Sequence, residues 1–101
     1  MLTGKQRSYL KSLAQQLKPL VYIGKQGITD SIYTELRNTL RTRELVKVKI
    51  QEGSDLDAKE TANRLAEDIG AEFVQAIGRV FVLYKFSADE KMKDKHILLP
   101  K

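Results

Sequence analysis

Apolar residues recur along the chain with two periods, one typical of helices and the other typical of strands. Over the first eighteen residues the spacing is three and four, which predicts an amphipathic helix over residues 3–18 with Thr3 as its N-cap. The inner stripe of this helix consists of Leu10, Leu13, Ala14 and Leu17. Pro19 ends the helix because proline cannot continue it. Residues 20–23 are all apolar, which predicts a strand that is central in a sheet or covered on both faces.

The rest of the chain continues to alternate between helix and strand patterns. The further predicted elements are helices over residues 30–43 and 57–69 and strands over residues 45–50, 72–77 and 80–86. Thr29 or Asp30 caps the second helix, and Asp57 caps the third. The strand over residues 45–50 alternates strictly, so its lysines lie on the face opposite its valines and isoleucine. A tight turn at residues 78–79 joins the last two strands into an antiparallel hairpin.

The order of these elements is α-β-α-β-α-β-β, which predicts an α/β fold of two layers with a four-stranded mixed sheet. Strand–helix–strand connections cross over right-handed, so we expect the second and third helices on one face, with the first helix packed alongside. One domain is expected over residues 1–86. Residues 87–101 form a polar C-terminal tail, in which we expect 87–96 to be mobile and the apolar end, 97–100, to dock back on the domain.

A short glycine-rich loop, Gly24-Lys25-Gln26-Gly27, connects the first strand to the second helix. Glycine permits positive φ and a close approach of another backbone, and the helix start after Thr29 directs free N–H groups outward. With a lysine at its tip, the loop has the properties of a small anion site at the sheet edge where open α/β folds bind ligands. The alternative is a tight turn without a ligand, which the motif alone favours because G-x-x-G is common.

The charge of the chain is segregated rather than mixed. The net charge is +5, and residues 1–50 carry +7, residues 51–78 carry −5 and residues 79–101 carry +3. No acidic residue precedes Asp30, so the first helix has an all-positive face. A solvated helix face ordinarily mixes both signs, because like charges four residues apart disfavour a helix. The segregation therefore favours a polyanionic partner, of which nucleic acid is the commonest.

The sequence lacks the residue combinations that most enzymes use. The only histidine is His96, in the predicted tail, and cysteine is absent. The acidic residues cluster on the third helix, and residues 24–27 match neither a P-loop nor a dinucleotide fingerprint. We therefore expect a protein that is not an enzyme and holds no cofactor or metal. No apolar run approaches a membrane span and no signal-peptide core begins the chain, so we expect no membrane partner and a cytoplasmic location.

Three segments, in this order, resemble the YhbY family, the stand-alone bacterial form of the CRM (chloroplast RNA splicing and ribosome maturation) domain. They are residues 17–29 (LKPLVYIGKQGIT), 44–50 (ELVKVKI) and 74–85 (VQAIGRVFVLYK). The resemblance covers nearly the whole chain to about residue 86. It implies a fold similar to the C-terminal domain of translation initiation factor three and RNA binding through the G-x-x-G loop. Bacterial members of the family are linked to precursors of the large ribosomal subunit.

With this resemblance, an RNA contact becomes the better explanation of the G-x-x-G loop. The residues that we assign to that contact are Gly24, Lys25, Gln26, Gly27, Thr29, Lys5, Arg7, Lys11, Lys18 and Arg79. Lys47 and Lys49 would join them if the open face of the sheet is not covered. Such a loop contacts the phosphate backbone and not the bases, so RNA shape or single-stranded character would determine preference. Base stacking is an open alternative with little support, because the aromatic residues at the following positions mostly have core-type spacing, which favours a core role for each: Tyr22, Tyr33, Phe73, Phe81, Tyr84 and Phe86.

Two functions of different classes follow. The first is a monomeric RNA-binding protein that acts in ribosome assembly, with RNA of large-subunit precursors as its partner and ribosomal proteins as further partners. The second is a protein-docking module on ribosomal particles with only generic affinity for nucleic acid. The acidic third helix and the apolar residues 97–100 motivate this second function.

Overall fold

The helices begin where the sequence supplies an N-cap. A computed structural model, which describes residues 1–101, contains α1 (Gly4–Ala14), α2 (Asp30–Arg43) and α3 (Ala58–Ile69). The side chains of Thr3, Thr29 and Asp57 accept the hydrogen bonds that cap these three helices. Gly70 ends α3 with a φ of 78°, in the left-handed conformation that favours glycine. No helix of the protein is long and apolar enough to span a membrane.

Four strands form a single sheet. They are β1 (Val21–Ile23), β2 (Leu45–Ile50), β3 (Glu72–Ile77) and β4 (Val80–Tyr84), in the spatial order β1-β2-β4-β3. β1 is parallel to β2, whereas β4 is antiparallel to both of its neighbours. The predicted α/β fold with a four-stranded mixed sheet is therefore confirmed. Because β1 and β2 are parallel, the loops that follow them meet at the same edge of the sheet.

α1 ends at Ala14, whereas the sequence pattern extends it to residue 18. The amides of the next three residues bond to carbonyls three positions back, at 3.0 to 3.4 Å, so the last turn tightens and the helix stops before Pro19. Proline also disfavours the helical conformation for the residue that precedes it. Lys18 therefore lies in the connection to β1 and not on the helix that carries Arg7 and Lys11.

The main core lies between the sheet and the pair of helices α2 and α3. It is one cluster of 15 buried residues. The helices contribute Ile32, Leu36, Leu40, Ala58, Ala62, Leu65, Ala66 and Ile69, and the sheet contributes Val21, Ile23, Val46, Val48, Ile50, Phe81 and Leu83. The alanines on α3 let that helix approach the sheet closely. α2 and α3 thus share one face of the sheet, as predicted.

α1 packs against the opposite face of the sheet, and it covers only one end of that face. Leu10 and Ala14 of α1 form a second cluster with Leu45, Val82 and Tyr84. Two apolar residues near the C-terminus, Ile97 and Leu99, pack against the same cluster. The other end of this face, nearer the G-x-x-G loop, remains open.

β1 is an edge strand with one exposed face, so the expectation of a central or doubly covered strand is wrong. Its burial alternates, since Val21 and Ile23 are fully buried whereas Tyr22 is 48% exposed. The assignment of the aromatic residues to the core also fails for Phe86, which is 59% exposed. Only β2 pairs with β1, and the exposure of Tyr22 shows that the outward face of β1 is not covered.

Glu44, between α2 and β2, joins the C-terminal segment to the rest of the protein. Its carboxylate is fully buried and accepts hydrogen bonds from the amides of Ser87 (2.8 Å) and Ile97 (2.9 Å) and contacts His96 Nδ1 (2.7 Å). Burial raises the pKa of Glu44, but these three contacts outweigh burial and lower the pKa below its ordinary value. Residues 87–96, expected to be mobile, are thus bonded to the domain at both ends.

Candidate nucleic-acid interface

The G-x-x-G loop is a closed turn with an exposed tip. Gly27 N–H donates to the carbonyl of Gly24 at 3.0 Å, and Gly27 has a φ of 73°, which favours glycine. Lys25 and Gln26, at the tip, are exposed. The Thr29 hydroxyl accepts the amide of Ile32 at 3.3 Å and so begins α2 beside the loop. The turn therefore presents a cation on a rigid backbone.

A second loop, between β2 and α3, supports the first. A Cβ atom on Gly53 would lie 2.9 Å from Lys25 Cε, so the aliphatic stem of Lys25 lies directly over Gly53. A Cβ atom on Gly24 would lie 3.3 Å from Gln51 Oε1, so the two loops are in close contact there as well. Gln51 N–H also donates to the carbonyl of Ile23 at 2.8 Å. The position of the Lys25 side chain thus depends on a glycine in the neighbouring loop.

Arg79, at the tip of the final hairpin, ties that hairpin to the same edge of the sheet. Its Nη1 donates to the carbonyls of Gln51 and Ser54, both at 3.3 Å. The side chain is nevertheless exposed, and its remaining N–H groups are free to meet a ligand. Three segments therefore converge here: the G-x-x-G loop, the β2–α3 loop and the hairpin tip.

The positive charge at this edge comes from side chains more than from the start of α2. Asp30 occupies the first turn of α2, so a carboxylate already partners the positive end of the helix dipole. Lys25 and Arg79 carry the cationic charge next to the loop. An anion at the turn would therefore meet Lys25, since the Gly27 amide already donates to the carbonyl of Gly24.

The basic residues of α1 lie beside the outer strand of the sheet. Arg7 Nε donates to the carbonyl of Phe73 at 3.2 Å, which fixes this guanidinium against β3. Arg7 and Lys11 line a shallow groove that runs along β3 as far as Ile77. Lys5 is exposed, but at 100° per residue it lies about 160° around the helix from Arg7. Lys5 therefore does not share the surface that Arg7 and Lys11 form.

Lys18 and Lys47 line another groove, at the β1 side of the same sheet face, together with Leu20 and Arg43. Lys18 precedes β1, so it lies at the end of that strand opposite to Lys25. Of the predicted residues, the structure thus brings the G-x-x-G loop and Arg79 together. It places Arg7 and Lys11 on one flank of the sheet and Lys18 on the other.

A separate cavity of about 500 Å³ lies at the opposite end of the sheet, between α2 and the residues after β4. Basic side chains line this cavity, but two of them already form contacts within the protein. Arg41 pairs with Asp89 at 2.8 Å, and Lys85 Nζ donates to the carbonyl of Ile69 at 2.9 Å. The cavity therefore lies at the contact between the helices and the C-terminal segment. We do not include it in the interface.

Two residues of this region were missed by the sequence analysis. Gly53 is not among the predicted site residues, although the parallel pairing of β1 and β2 brings it under Lys25. Tyr22 was assigned to the core, although it lies exposed two residues before Gly24. The sequence feature that could have identified Gly53 is the glycine itself, because it lies in a loop that follows a strand parallel to β1.

Comparison with known proteins identifies relatives over the whole chain. The family model of the CRS1 / YhbY (CRM) domain matches residues 2–85. The "Probable RNA-binding protein YqeI" of Bacillus subtilis is 37% identical over 100 residues, which are 99% of this chain and 100% of that protein. An "RNA-binding protein" of Haemophilus influenzae is 38% identical over 93 residues, covering 91% of this chain and 93% of that protein.

A solved structure has the same fold. The solution structure of SAV1595 from Staphylococcus aureus matches with a TM-score of 0.80 and 42% sequence identity. The match covers 99% of this chain and 100% of that one. The arrangement of helices and strands described above is therefore shared with a protein of the same size.

Proposed function

Because the chain belongs to the CRS1/YhbY (CRM) domain family, we propose that it binds RNA through the G-x-x-G loop and the basic residues around it. The relatives that match it over most of their length bear names that describe them as RNA-binding proteins. The observation that carries the proposal is the position of Lys25, held over Gly53 at the tip of a glycine turn. A phosphodiester backbone can approach such a turn closely and meet a cation there.

We further propose that the RNA is a structured segment of large-subunit ribosomal precursors, and that the protein acts in ribosome assembly in the cytoplasm as a monomer. The backbone contact at the loop supports recognition of RNA shape over base sequence. The test is a titration of the purified protein with a large-subunit RNA fragment and with duplex DNA of equal length. We expect preference for the RNA; equal affinity for both would refute recognition of RNA shape.

The role we propose is non-catalytic. The single histidine of the chain contacts buried Glu44 at 2.7 Å, and its ring stacks on Phe86 with a centroid distance of 4.5 Å. This histidine therefore belongs to the attachment of the C-terminal segment, at the end of the sheet remote from the loop. The chemistry available at the loop itself is that of a cation and backbone amides, which suits binding.

Lys25→Ala is expected to weaken RNA binding and to reduce the slope of log affinity against log salt by about one, because one phosphate contact is lost. The slope is measured by fluorescence anisotropy at several salt concentrations with the large-subunit RNA fragment. Lys93→Ala is the matched control, since Lys93 is exposed in the C-terminal segment far from the loop. An unchanged slope for Lys25→Ala, or an equal change for Lys93→Ala, would count against the loop as the site.

Gly53→Ala is expected to weaken RNA binding without removing any charge. The new methyl group would meet Lys25 Cε, which lies 2.9 Å from its position, and would displace the lysine from the loop tip. Gly70→Ala is the control, because Gly70 also has a positive φ, 78°, lies at the end of α3 remote from the loop, and its added atom would meet only Lys85 Nζ at 4.0 Å. Both variants incur backbone strain of about 1–2 kcal/mol, measurable by urea unfolding. A loss of affinity confined to Gly53→Ala supports the proposed position of Lys25, and equal affinities for the two variants contradict it.

A further inference from the structure

The open end of the second sheet face carries a row of side chains that crosses all four strands. The register pairs Tyr22 with Lys49, Lys49 with Val80, and Val80 with Ile77. Each of these residues alternates with core residues along its strand, so all four lie on the face opposite α2 and α3. We call these four residues the open row. At about 4.8 Å between strands, the open row spans roughly 14 Å.

The open row is accessible and partly apolar. Tyr22 is 48% exposed, Ile77 is 69% exposed, and Lys49 is exposed between them. α1 does not reach this end of the sheet, because its buried residues, Leu10 and Ala14, pack against the other end. The protein therefore presents an aromatic ring, a cation and two aliphatic side chains in line on a rigid sheet.

We propose that the open row is a stacking surface for unpaired nucleotides of an RNA strand whose backbone is held at the G-x-x-G loop. This inference rests on the proposed function and extends it, since it names single-stranded RNA as the ligand class and Tyr22 as the residue that contacts a base. Aromatic side chains on a sheet face are effective platforms for bases, because every base has a flat π-face.

The position of Tyr22 relative to the loop supports this arrangement. Tyr22 precedes Gly24 by two residues along β1, a distance of roughly 7 Å at the rise of a strand. A nucleotide whose phosphate lies at the glycine turn can therefore place its base, or the base next to it, over the Tyr22 ring. Lys49, directly beside Tyr22 in the register, supplies a cation for the following phosphate.

The charge around the open row also matches a nucleic-acid strand. Arg7 and Lys11 border the groove that ends at Ile77, on the β3 side. Lys47, two residues before Lys49 on β2, lies on the same sheet face, and together with Lys18 it lines a groove toward the end of the sheet that α1 covers. The open row thus has basic residues beside its β3 end and further lysines along the same face, which an anionic strand crossing the sheet would contact in turn.

A protein partner fits this surface less well. The buried centres of protein interfaces are depleted in lysine, because its ammonium group must be desolvated there. In the open row Lys49 occupies a central position, with Tyr22 on one side and Val80 on the other. A strand of RNA leaves such a lysine solvated and paired with phosphate.

The test compares Tyr22→Ala with the wild-type protein on two labelled probes, a single-stranded oligoadenylate of ten nucleotides and an RNA duplex of ten base pairs. We expect Tyr22→Ala to lose about tenfold in affinity for the single strand, because one stacked base is lost. We expect its salt slope and its affinity for the duplex to be unchanged. Tyr22→Phe should keep the affinity, since it retains the ring. In NMR spectra, the Tyr22 ring protons should shift upfield when the single strand is added.

The controls separate this inference from the proposed function. Tyr9→Ala removes another tyrosine, 39% exposed on α1, and should leave the affinity for the single strand unchanged. If Lys25→Ala weakens binding and Tyr22→Ala does not, the stacking surface is refuted while RNA binding at the loop stands. If Lys25→Ala leaves the affinity for RNA unchanged, the proposed RNA contact at the loop is refuted together with the inference that rests on it. A Tyr22→Ala variant that binds both probes normally but is lost from ribosomal particles would assign the open row to a protein partner and overturn the inference.

Discussion

Glu44→Ala is expected to destabilise the protein by about 3 kcal/mol or more and to release the C-terminal segment. The carboxylate of Glu44 is fully buried and is the acceptor for the amides of Ser87 and Ile97. Without it, these amides lose their acceptor and each costs about 1–3 kcal/mol if it stays buried. Urea unfolding measures the loss of stability, and amide hydrogen exchange at the two residues measures the release.

The pH dependence of stability tests the same carboxylate. Although burial raises the pKa of Glu44, its hydrogen bonds outweigh burial, and the folded pKa lies below the ordinary value of 4.5. A depressed pKa means that the unfolded state binds the proton more readily. The stabilisation by Glu44 is therefore complete above about pH 4.5 and is lost as the pH falls through the folded pKa. Glu44→Gln should make the stability less dependent on pH across that interval.

Glu35→Ala is the matched control, because Glu35 is exposed on α2 and its side chain makes none of these contacts. This variant should change the stability by less than about 0.5 kcal/mol. Comparable losses for the two variants would mean that Glu44 has no special role. Unaltered hydrogen exchange at Ser87 and Ile97 in Glu44→Ala would lead to the same conclusion.

The sequence predicts the fold well where local signals agree. α2 extends over residues 30–43 as predicted, because the Thr29 cap, the apolar period and the basic residues at the helix end all indicate the same boundaries. The same holds for β2 and β3, whose bounds the pattern predicts. α1 and β4 are exceptions. The apolar period of α1 continues past Ala14 while the backbone already turns toward Pro19, and β4 ends at Tyr84, before the predicted residue 86.

The errors arise where the outcome depends on residues far apart in the chain. The apolar run at residues 20–23 does not reveal whether its strand is central or at an edge, because strand order is determined by the whole sheet. For this reason Tyr22 was assigned to the core. The buried role of Glu44 is not visible in the sequence, since the amides that it binds come from the other end of the chain, at Ser87 and Ile97.

The candidate site, like the fold, could be predicted only where its features are local in the sequence. The G-x-x-G loop is visible in the sequence because two glycines and a lysine follow a strand and precede a helix cap. The support of Lys25 by Gly53 is not visible, since it requires knowledge that β1 and β2 are parallel neighbours. Lys5 was grouped with Arg7 and Lys11 on the basis of charge alone, although the helical period separates it from them.

Replacing Lys11, Lys18 and Lys25 together with alanine is expected to lower the affinity for RNA by about a hundredfold at 0.1 M salt. Each lost phosphate contact reduces the salt slope by about 0.7 to 1, so three contacts reduce it by about two to three. The three residues lie on different parts of the surface, at the β3 flank, the β1 flank and the loop tip, so their effects should add. Titration at several salt concentrations gives both quantities.

The control replaces Lys91, Lys93 and Lys95, which are exposed in the C-terminal segment, and lowers the net charge of +5 by the same amount. If the affinity depends only on total charge, both triple variants weaken binding equally, and the interface proposed at the sheet edge and its flanks is wrong. A sucrose gradient of cell extract then tests the docking alternative. Retention of the Lys11, Lys18 and Lys25 variant on ribosomal particles would mean that a surface outside the basic flanks, such as the acidic outer side of α3, mediates attachment. Loss of this variant from the particles, with retention of the control, would mean that contact with RNA holds the protein there.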